Sequence, residues 1–363
     1  MKNHNSRLAS SLFTAALLLH KQHTLTLTNA FSIRASTTST STPITKTHSI
    51  DNIPCRELDI QIQSLDDEII TILEATLEGQ ETLVDAALTE EDDDDEALLS
   101  VGADKNIVRE DPYGAVLWPA ASAVSEYIAR DTFWNDHCEQ QQQKHQQSSS
   151  SSSLLERRPS LLELGTGTGL VALSASVSRK YSSILATDYE TVPLRLLDEA
   201  FYLNRERRNN INNDDDNDVN NNGDDGHDDD NESSKNMTPI TTSLFDICDP
   251  STPLPPGDII CAADILYEPK TGIALAQRTI EALERGSRVV IGCSPGRPGR
   301  PAFLEELKRL KPDINGAKFV DMEGMTCTGK RHSLICGEGS TSVSDEPKML
   351  LVALMDLTPD CLG

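Results

Sequence analysis

Lysine and arginine are scarce in this 363-residue sequence and nowhere concentrated: 32 bases stand against 58 acids, for a formal charge of -26. A field of that sign repels phosphate backbones and anionic membrane surfaces, so nucleic acid is not an expected partner. Long apolar runs are also missing. Leu8 to Leu19 is too short to span a bilayer and is ended by His20-Lys-Gln-His23, so no stable membrane insertion is expected. The eight cysteines include no pair at the C-x-x-C spacing of metal and redox sites, so no metal is expected and the thiols are read as reduced. Cys261 and Cys293 fall at the ends of expected buried strands, where a small apolar side chain is the simpler role.

A further absence is local. The first fifty residues contain neither Asp nor Glu, but hold Lys2, Arg7, Lys21, Arg34 and a Ser/Thr run from Ser36 to Ser49. That composition reads as an organelle presequence over residues 1–50, without fixed structure. Asn29-Ala-Phe-Ser32 resembles the cleavage junction of algal plastid leaders, with a mitochondrial address as the alternative and a cytoplasmic one behind it.

What is present divides into a core and its appendages. Most of the acidic excess lies in Glu90 to Glu96 and Asp214 to Asp230, so the folded part is closer to neutral than the total. Ile60, Ile62, Leu65, Ile69, Ile70, Leu73 and Leu77 recur at roughly helical spacing, which predicts an amphipathic helix over about 57–78, followed by an acidic linker to about 110. The main domain is expected over 111–358, with low-complexity insertions at 139–153 and 209–236 too polar to offset their chain entropy. Within the second, Asp218-x-Asn220-x-Asn222-Gly223 mimics the start of a calcium loop, but lacks both the closing Glu and flanking helices.

From Arg158 onward strand and helix patterns alternate. Strands are expected at 161–164, 183–187, 240–244, 258–262 and 288–291, with helices at 120–129, 170–180, 193–203, 271–284 and 301–310. The apolar segments 317–322 and 349–355 have no helix between them and read as an antiparallel terminal pair. The expected fold is α/β, a Rossmann-like, doubly wound, mostly parallel seven-stranded sheet with an antiparallel C-terminal hairpin.

Chemistry enters at the loop Leu161-Leu-Glu-Leu-Gly-Thr-Gly-Thr-Gly169. A strand, Gly165-Thr166-Gly167-Thr-Gly169 and a helix bring backbone close to a ligand at the carboxyl end of the sheet. Dinucleotide enzymes use G-x-G-x-x-G to meet a pyrophosphate. Here the spacing is G-x-G-x-G and Glu163 precedes it; a carboxylate there suits the cationic amino end of a methionine moiety, so S-adenosyl-L-methionine is the expected cofactor. Asp188, about twenty residues past the glycines, stands where an acid accepts hydrogen bonds from both ribose hydroxyls.

Four segments together resemble the seven-β-strand protein-lysine methyltransferases of the methyltransferase-21-like group, most of all the electron-transfer-flavoprotein β-subunit lysine methyltransferases: Leu117-Trp-Pro-Ala120, Glu163-Leu-Gly-Thr-Gly-Thr-Gly169, Ala263-Asp-Ile-Leu-Tyr267 and Val290-Ile-Gly-Cys-Ser-Pro-Gly-Arg-Pro298. The resemblance spans roughly residues 110–310. It implies that Trp118 and Ala263 line the cofactor pocket and that Asp246 approaches the adenine, although many relatives carry Trp or Asn there. It implies also that Asp264 and Tyr267, a D-x-x-Y motif, border the methyl-accepting site as the candidate catalytic pair. The expected partner is then a protein bearing the target lysine, and the expected state a monomer. A small-molecule amine N-methyltransferase of the nicotinamide type shares every cofactor motif and is the alternative, followed by a non-catalytic cofactor-binding module.

Overall fold

The computed structural model describes residues 46–85, 112–130, 132–133, 158–215, 237–327 and 348–363. The expected presequence up to residue 45, the acidic linker from residue 86, the Gln/Ser insertion and residues 216–236 of the Asn/Asp tract lie outside the described residues.

The first described element corrects two expectations. Thr47–Ile50, at the end of the stretch read as a presequence, forms strand β1. The segment read as a helix over 57–78 is instead two strands, β2 (Ile53–Ile62) and β3 (Glu68–Ala75), which with β1 make a three-stranded antiparallel sheet. The apparent helical spacing arose from two strands read through one turn: Ile60 pairs with Ile70, and Ile62 with Glu68, while β3 is buried at every position from Ile70 to Ala75. Isoleucine favours the pleated surface at these positions. The turn is made by Asp66 and Asp67, at φ 55° and 61°, and the β1–β2 turn by Asp51 and Asn52, at φ 52° and 67°. Asp and Asn tolerate this left-handed region better than other side chains. A short helix, α1 (77–85), follows β3.

The main sheet holds seven strands: β4 (Ser160–Leu164), β5 (Ser183–Asp188), β6 (Ile240–Leu244), β7 (Ile259–Ala263), β8 (Arg288–Cys293), β9 (Val320–Cys327) and β10 (Lys348–Leu357), in the order β6-β5-β4-β7-β8-β10-β9. The strands from β4 to β8 pair in parallel, and β10 is antiparallel to both β8 and β9. The helices are α2 (Pro119–Ala129), α3 (Leu170–Ser178), α4 (Thr191–Asp215), α5 (Pro269–Glu284) and α6 (Gly299–Leu310). This is the doubly wound architecture expected from the sequence, although α4 runs on to Asp215, into the tract read as a loop.

Alternate residues of each strand face opposite layers. Leu161, Ile184 and Ile259 pack with α2, α3, α4 and the small sheet; Leu162, Ile260 and Val289 pack with α5 and α6. Cys261 and Cys293 are fully buried one in each layer, and burial pushes both thiols up, Cys293 to about 12, as suits inert fillers.

Two polar connections hold the layers in register. Arg288, at the start of β8, meets Asp356 of β10 through Nε at 2.9 Å and Nη2 at 2.5 Å, and its guanidinium lies 4.2 Å from the Phe133 ring centre. Tyr127 of α2 donates to the same carboxylate at 2.7 Å; its hydroxyl is pushed up to about 12 by burial first and by the Asp356 charge second. On the other side Asn204 of α4 behaves as one more residue of a strand. Its Oδ1 accepts the Thr71 N–H at 2.9 Å and its Nδ2 donates to the Thr71 carbonyl at 2.6 Å, while Arg207 pairs with Glu57 and Asp59. Asn204→Ala therefore strips two buried backbone groups of β3 of their partner. A loss of about 1–3 kcal/mol is expected, read as a lower urea midpoint at unchanged slope; a shift worth less than about 0.5 kcal/mol would show that water replaces the amide.

Candidate functional site

Strand β4 has β5 on one side and β7 on the other, so the chain leaves it in opposite directions and opens a crevice at the carboxyl ends of the strands. The glycine loop lies there. Gly165, Gly167 and Gly169 have φ of +68°, +52° and +79°, all in the left-handed region. A Cβ on Gly165 would lie 2.5 Å from Ile265 Cγ2, and one on Gly169 2.5 Å from Leu197 Cδ1, so the loop's path excludes side chains at both. Thr166 N–H donates to the Thr187 carbonyl at 2.9 Å and Gly169 N–H to the Thr166 carbonyl at 2.9 Å, which ties the loop to the end of β5.

Two carboxyl groups flank this turn. Glu163 is buried beneath it, its Oε2 accepting Thr166 Oγ1 at 2.9 Å and Ala172 N–H at 3.0 Å. Burial raises its pKa to about 8 against the pull of those two hydrogen bonds, and the nearby Asp188 charge adds to the rise. Asp188, at the end of β5, accepts Gly167 N–H on Oδ2 at 3.1 Å and Glu190 N–H on Oδ1 at 3.3 Å. These bonds aim its carboxylate across the loop. Asp246 stands apart: it is exposed two residues beyond β6, and its Oδ1 accepts Cys248 N–H at 2.7 Å in an Asx turn.

One wall of the crevice comes from the segment before α2. Trp118 is half-buried, its indole N–H donating to the Tyr113 carbonyl at 2.9 Å. A Cβ on Gly167 would reach the Gly114 carbonyl at 3.3 Å, so this segment lies directly against the glycine loop. Glu74 of β3, almost wholly buried, accepts the Leu117 N–H at 3.0 Å and binds Arg56 at 2.7 Å, which fixes the residue next to Trp118.

The opposite wall begins at Ala263, half-buried at the end of β7. Asp264 follows with φ +61°, unusual for a side-chain-bearing residue. Its Oδ1 accepts Ser294 N–H at 2.9 Å and Arg297 Nε at 2.9 Å; its Oδ2 accepts Ala120 N–H at 3.2 Å and the Ser294 hydroxyl. Ala120 lies in the first turn of α2, whose N–H groups have no partner within the helix. Arg297 in turn stacks 4.4 Å from the Trp118 ring centre. Tyr267, three residues on, is half-buried in the turn before α5.

The structure thus brings Trp118, Glu163, Gly165, Thr166, Gly167, Asp188, Ala263, Asp264 and Tyr267 to one edge of the sheet, with Asp246 at its margin. Sequence reasoning missed Glu74, Ser294 and Arg297. The last two lie in the Ser-Pro-Gly-Arg stretch read only as a mark of kinship, and Glu74 was hidden in the segment misread as a helix. The donor set fits a cationic, ribose-bearing ligand: the shaped backbone loop carries carboxyl groups and no lysine or arginine for a pyrophosphate.

A family model described as lysine methyltransferase matches residues 104–217, which takes in Trp118, the glycine loop and Asp188. The domain is of the S-adenosylmethionine-dependent methyltransferase class. Its cofactor is S-adenosylmethionine. No curated protein matches the sequence. Among solved structures the chain is similar to a TehB-like SAM-dependent methyltransferase from Corynebacterium glutamicum, with 14% identity over 62% of this chain and 97% of that one and a TM-score of 0.30. A putative RNA methyltransferase from Pyrococcus horikoshii gives 10% identity over 76% and 96%, with a TM-score of 0.35. The B. subtilis tRNA methyltransferase TrmK gives 12% over 67% and 68%, with a TM-score of 0.32. With scores this low, the fold assignment rests on the strand order seen here.

Glu163 offers a test of the site's electrostatics. Its folded-state pKa of about 8 exceeds its ordinary 4.5, so the stability it contributes is complete below 4.5 and is lost as pH rises through 8. Glu163→Gln removes the titration. Wild type should lose stability relative to the variant between those two pH values in urea denaturation of the ligand-free protein, and a difference that stays flat with pH would refute the raised pKa.

Proposed function

We propose that the protein transfers a methyl group from S-adenosylmethionine to a lysine side chain of a protein substrate. The observation that carries the reading is the lysine-methyltransferase family match over the Trp118 segment, the glycine loop and Asp188. The D-x-x-Y motif supports it, because Asp264 and Tyr267 follow the strand next to β4, beside the cofactor loop. The Pro-Gly-Arg-Pro sequence after β8 supports kinship with the flavoprotein β-subunit branch, and the acid-free N-terminus supports an address in a plastid or mitochondrion.

The bound cofactor supplies an electrophilic methyl that needs no further activation, so the protein's task is alignment and proton management. Asp264 does not serve as the proton acceptor in this reading. All four of its hydrogen-bonding positions are taken, and its contribution is to hold Trp118, Ser294 and Arg297 in fixed relation. Tyr267, half-buried three residues on, is the side chain assigned to orient the amine, and partial burial of the crevice favours the amine's neutral form. Glu163 takes the amino end of the cofactor. A carboxyl that is mostly protonated at neutral pH must ionise to meet that cation, so cofactor binding is coupled to proton release.

Calorimetry of S-adenosylhomocysteine binding at pH 7 should accordingly show release of up to about one proton, read as an enthalpy that depends on the buffer's own ionisation heat. Glu163→Gln should abolish that dependence; a buffer-independent enthalpy in the wild type would remove Glu163 from the amino end. The acceptor is tested by incubating the protein with methyl-labelled cofactor and plastid or mitochondrial extract, followed by mass spectrometry. Label on lysine of a protein is expected. Label confined to small amines would replace the protein-lysine reading with the metabolite one.

A further inference from the structure

Arg297 lies where the two walls of the crevice meet. Its Nε is held by the buried Asp264 carboxylate at 2.9 Å, and its guanidinium is stacked 4.4 Å from the Trp118 ring centre. A guanidinium fixed at both edge and face has already given up the rotamer freedom of a surface arginine. Only 18% of the side chain is exposed, and among the described residues neither Nη1 nor Nη2 has a hydrogen-bond acceptor. Asp264 cannot supply one: Ser294 and Ala120 occupy its remaining positions. Two oriented donors are therefore left at the rim of the site, joined through Trp118 and Tyr113 to the segment that covers the glycine loop. A cationic amine gains nothing from such a group. A planar fork of N–H donors matches the two oxygens of a carboxylate.

We propose that Arg297 is a carboxylate-binding residue of the active site, its Nη1 and Nη2 taking either the methionine carboxylate of the cofactor or a carboxylate on the acceptor beside the methylated amine. The inference rests on the cofactor assignment, and its second alternative also on the protein-lysine reading. A purely architectural arginine would show itself in stability and in every ligand alike. A carboxylate reader discriminates between ligands.

The test titrates wild type, Arg297→Gln and Arg297→Lys, as full chains, with S-adenosylhomocysteine and with 5'-methylthioadenosine, which lacks the amino-acid end. If the cofactor carboxylate is the ligand, Arg297→Gln weakens S-adenosylhomocysteine by about tenfold or more and leaves methylthioadenosine unchanged; Arg297→Lys recovers part of the loss. If the acceptor supplies the carboxylate, both nucleosides bind as before. The wild type loaded with S-adenosylhomocysteine then prefers a lysine peptide flanked by Glu to its Gln counterpart, and the variant loses that preference. Equal losses for both nucleosides overturn the proposal, as does unchanged S-adenosylhomocysteine affinity with no Glu-over-Gln preference in the wild type. Failure of the wild type to bind S-adenosylhomocysteine overturns the cofactor assignment itself, and the proposal with it.

Discussion

The buried carboxylate of Asp264 is the constraint on which the site depends. A charge taken out of water is costly unless donors surround it, and here the donors come from three separate places: the first turn of α2, the end of β8 and the guanidinium of Arg297. Each is fixed because the carboxylate needs it. The left-handed backbone of Asp264 turns the chain away from β7, at a cost of about 1–3 kcal/mol for a residue other than glycine. Such strain persists only where surrounding contacts over-determine it. The same four hydrogen bonds that hold Asp264 also hold the two walls of the crevice at a set separation.

The small antiparallel sheet at the N-terminus supports the same edge from behind. Its buried Glu74 reaches the Leu117 N–H, one residue from the tryptophan that stacks on Arg297. Its outer strand is closed by the Asn204 amide and flanked by Arg207 and Arg208 on α4. The sheet is therefore part of the methyltransferase domain rather than an appendage to it.

The main sheet was legible in the sequence because its signals are local. A buried strand, three glycines and an apolar helix follow one another within twenty residues, and the positive φ at Gly165, Gly167 and Gly169 gives the reason for those glycines. Glu163, Asp188 and Asp264 were found for the same reason, each at a strand end. What was lost depended on contacts between distant parts of the chain. Six of the seven apolar positions lie in the β2–β3 hairpin and fit a helical period as well as two paired strands, and only the turn at Asp66-Asp67 decides between them. Arg297 and Ser294 lie in a stretch read only as a mark of kinship, and their role follows from where the Asp264 carboxylate points. Glu163 was read as an acid waiting for a cation. In the fold it is buried beneath the loop, bonded to Thr166 and Ala172, and inclined to keep its proton.

The order of the last strands has a consequence for how the molecule comes into being. β10 follows β9 in the chain yet lies between β8 and β9. Until it arrives, β8 offers a bare row of backbone donors and acceptors to anything nearby, and Arg288 has no carboxylate to meet. A ribosome that has released everything up to residue 347 has produced all the residues proposed to bind the cofactor, but a sheet still open between β8 and β9. The vulnerable interval in the life of this protein is therefore the one before β10 emerges, when one missing strand separates a reactive edge from a closed core.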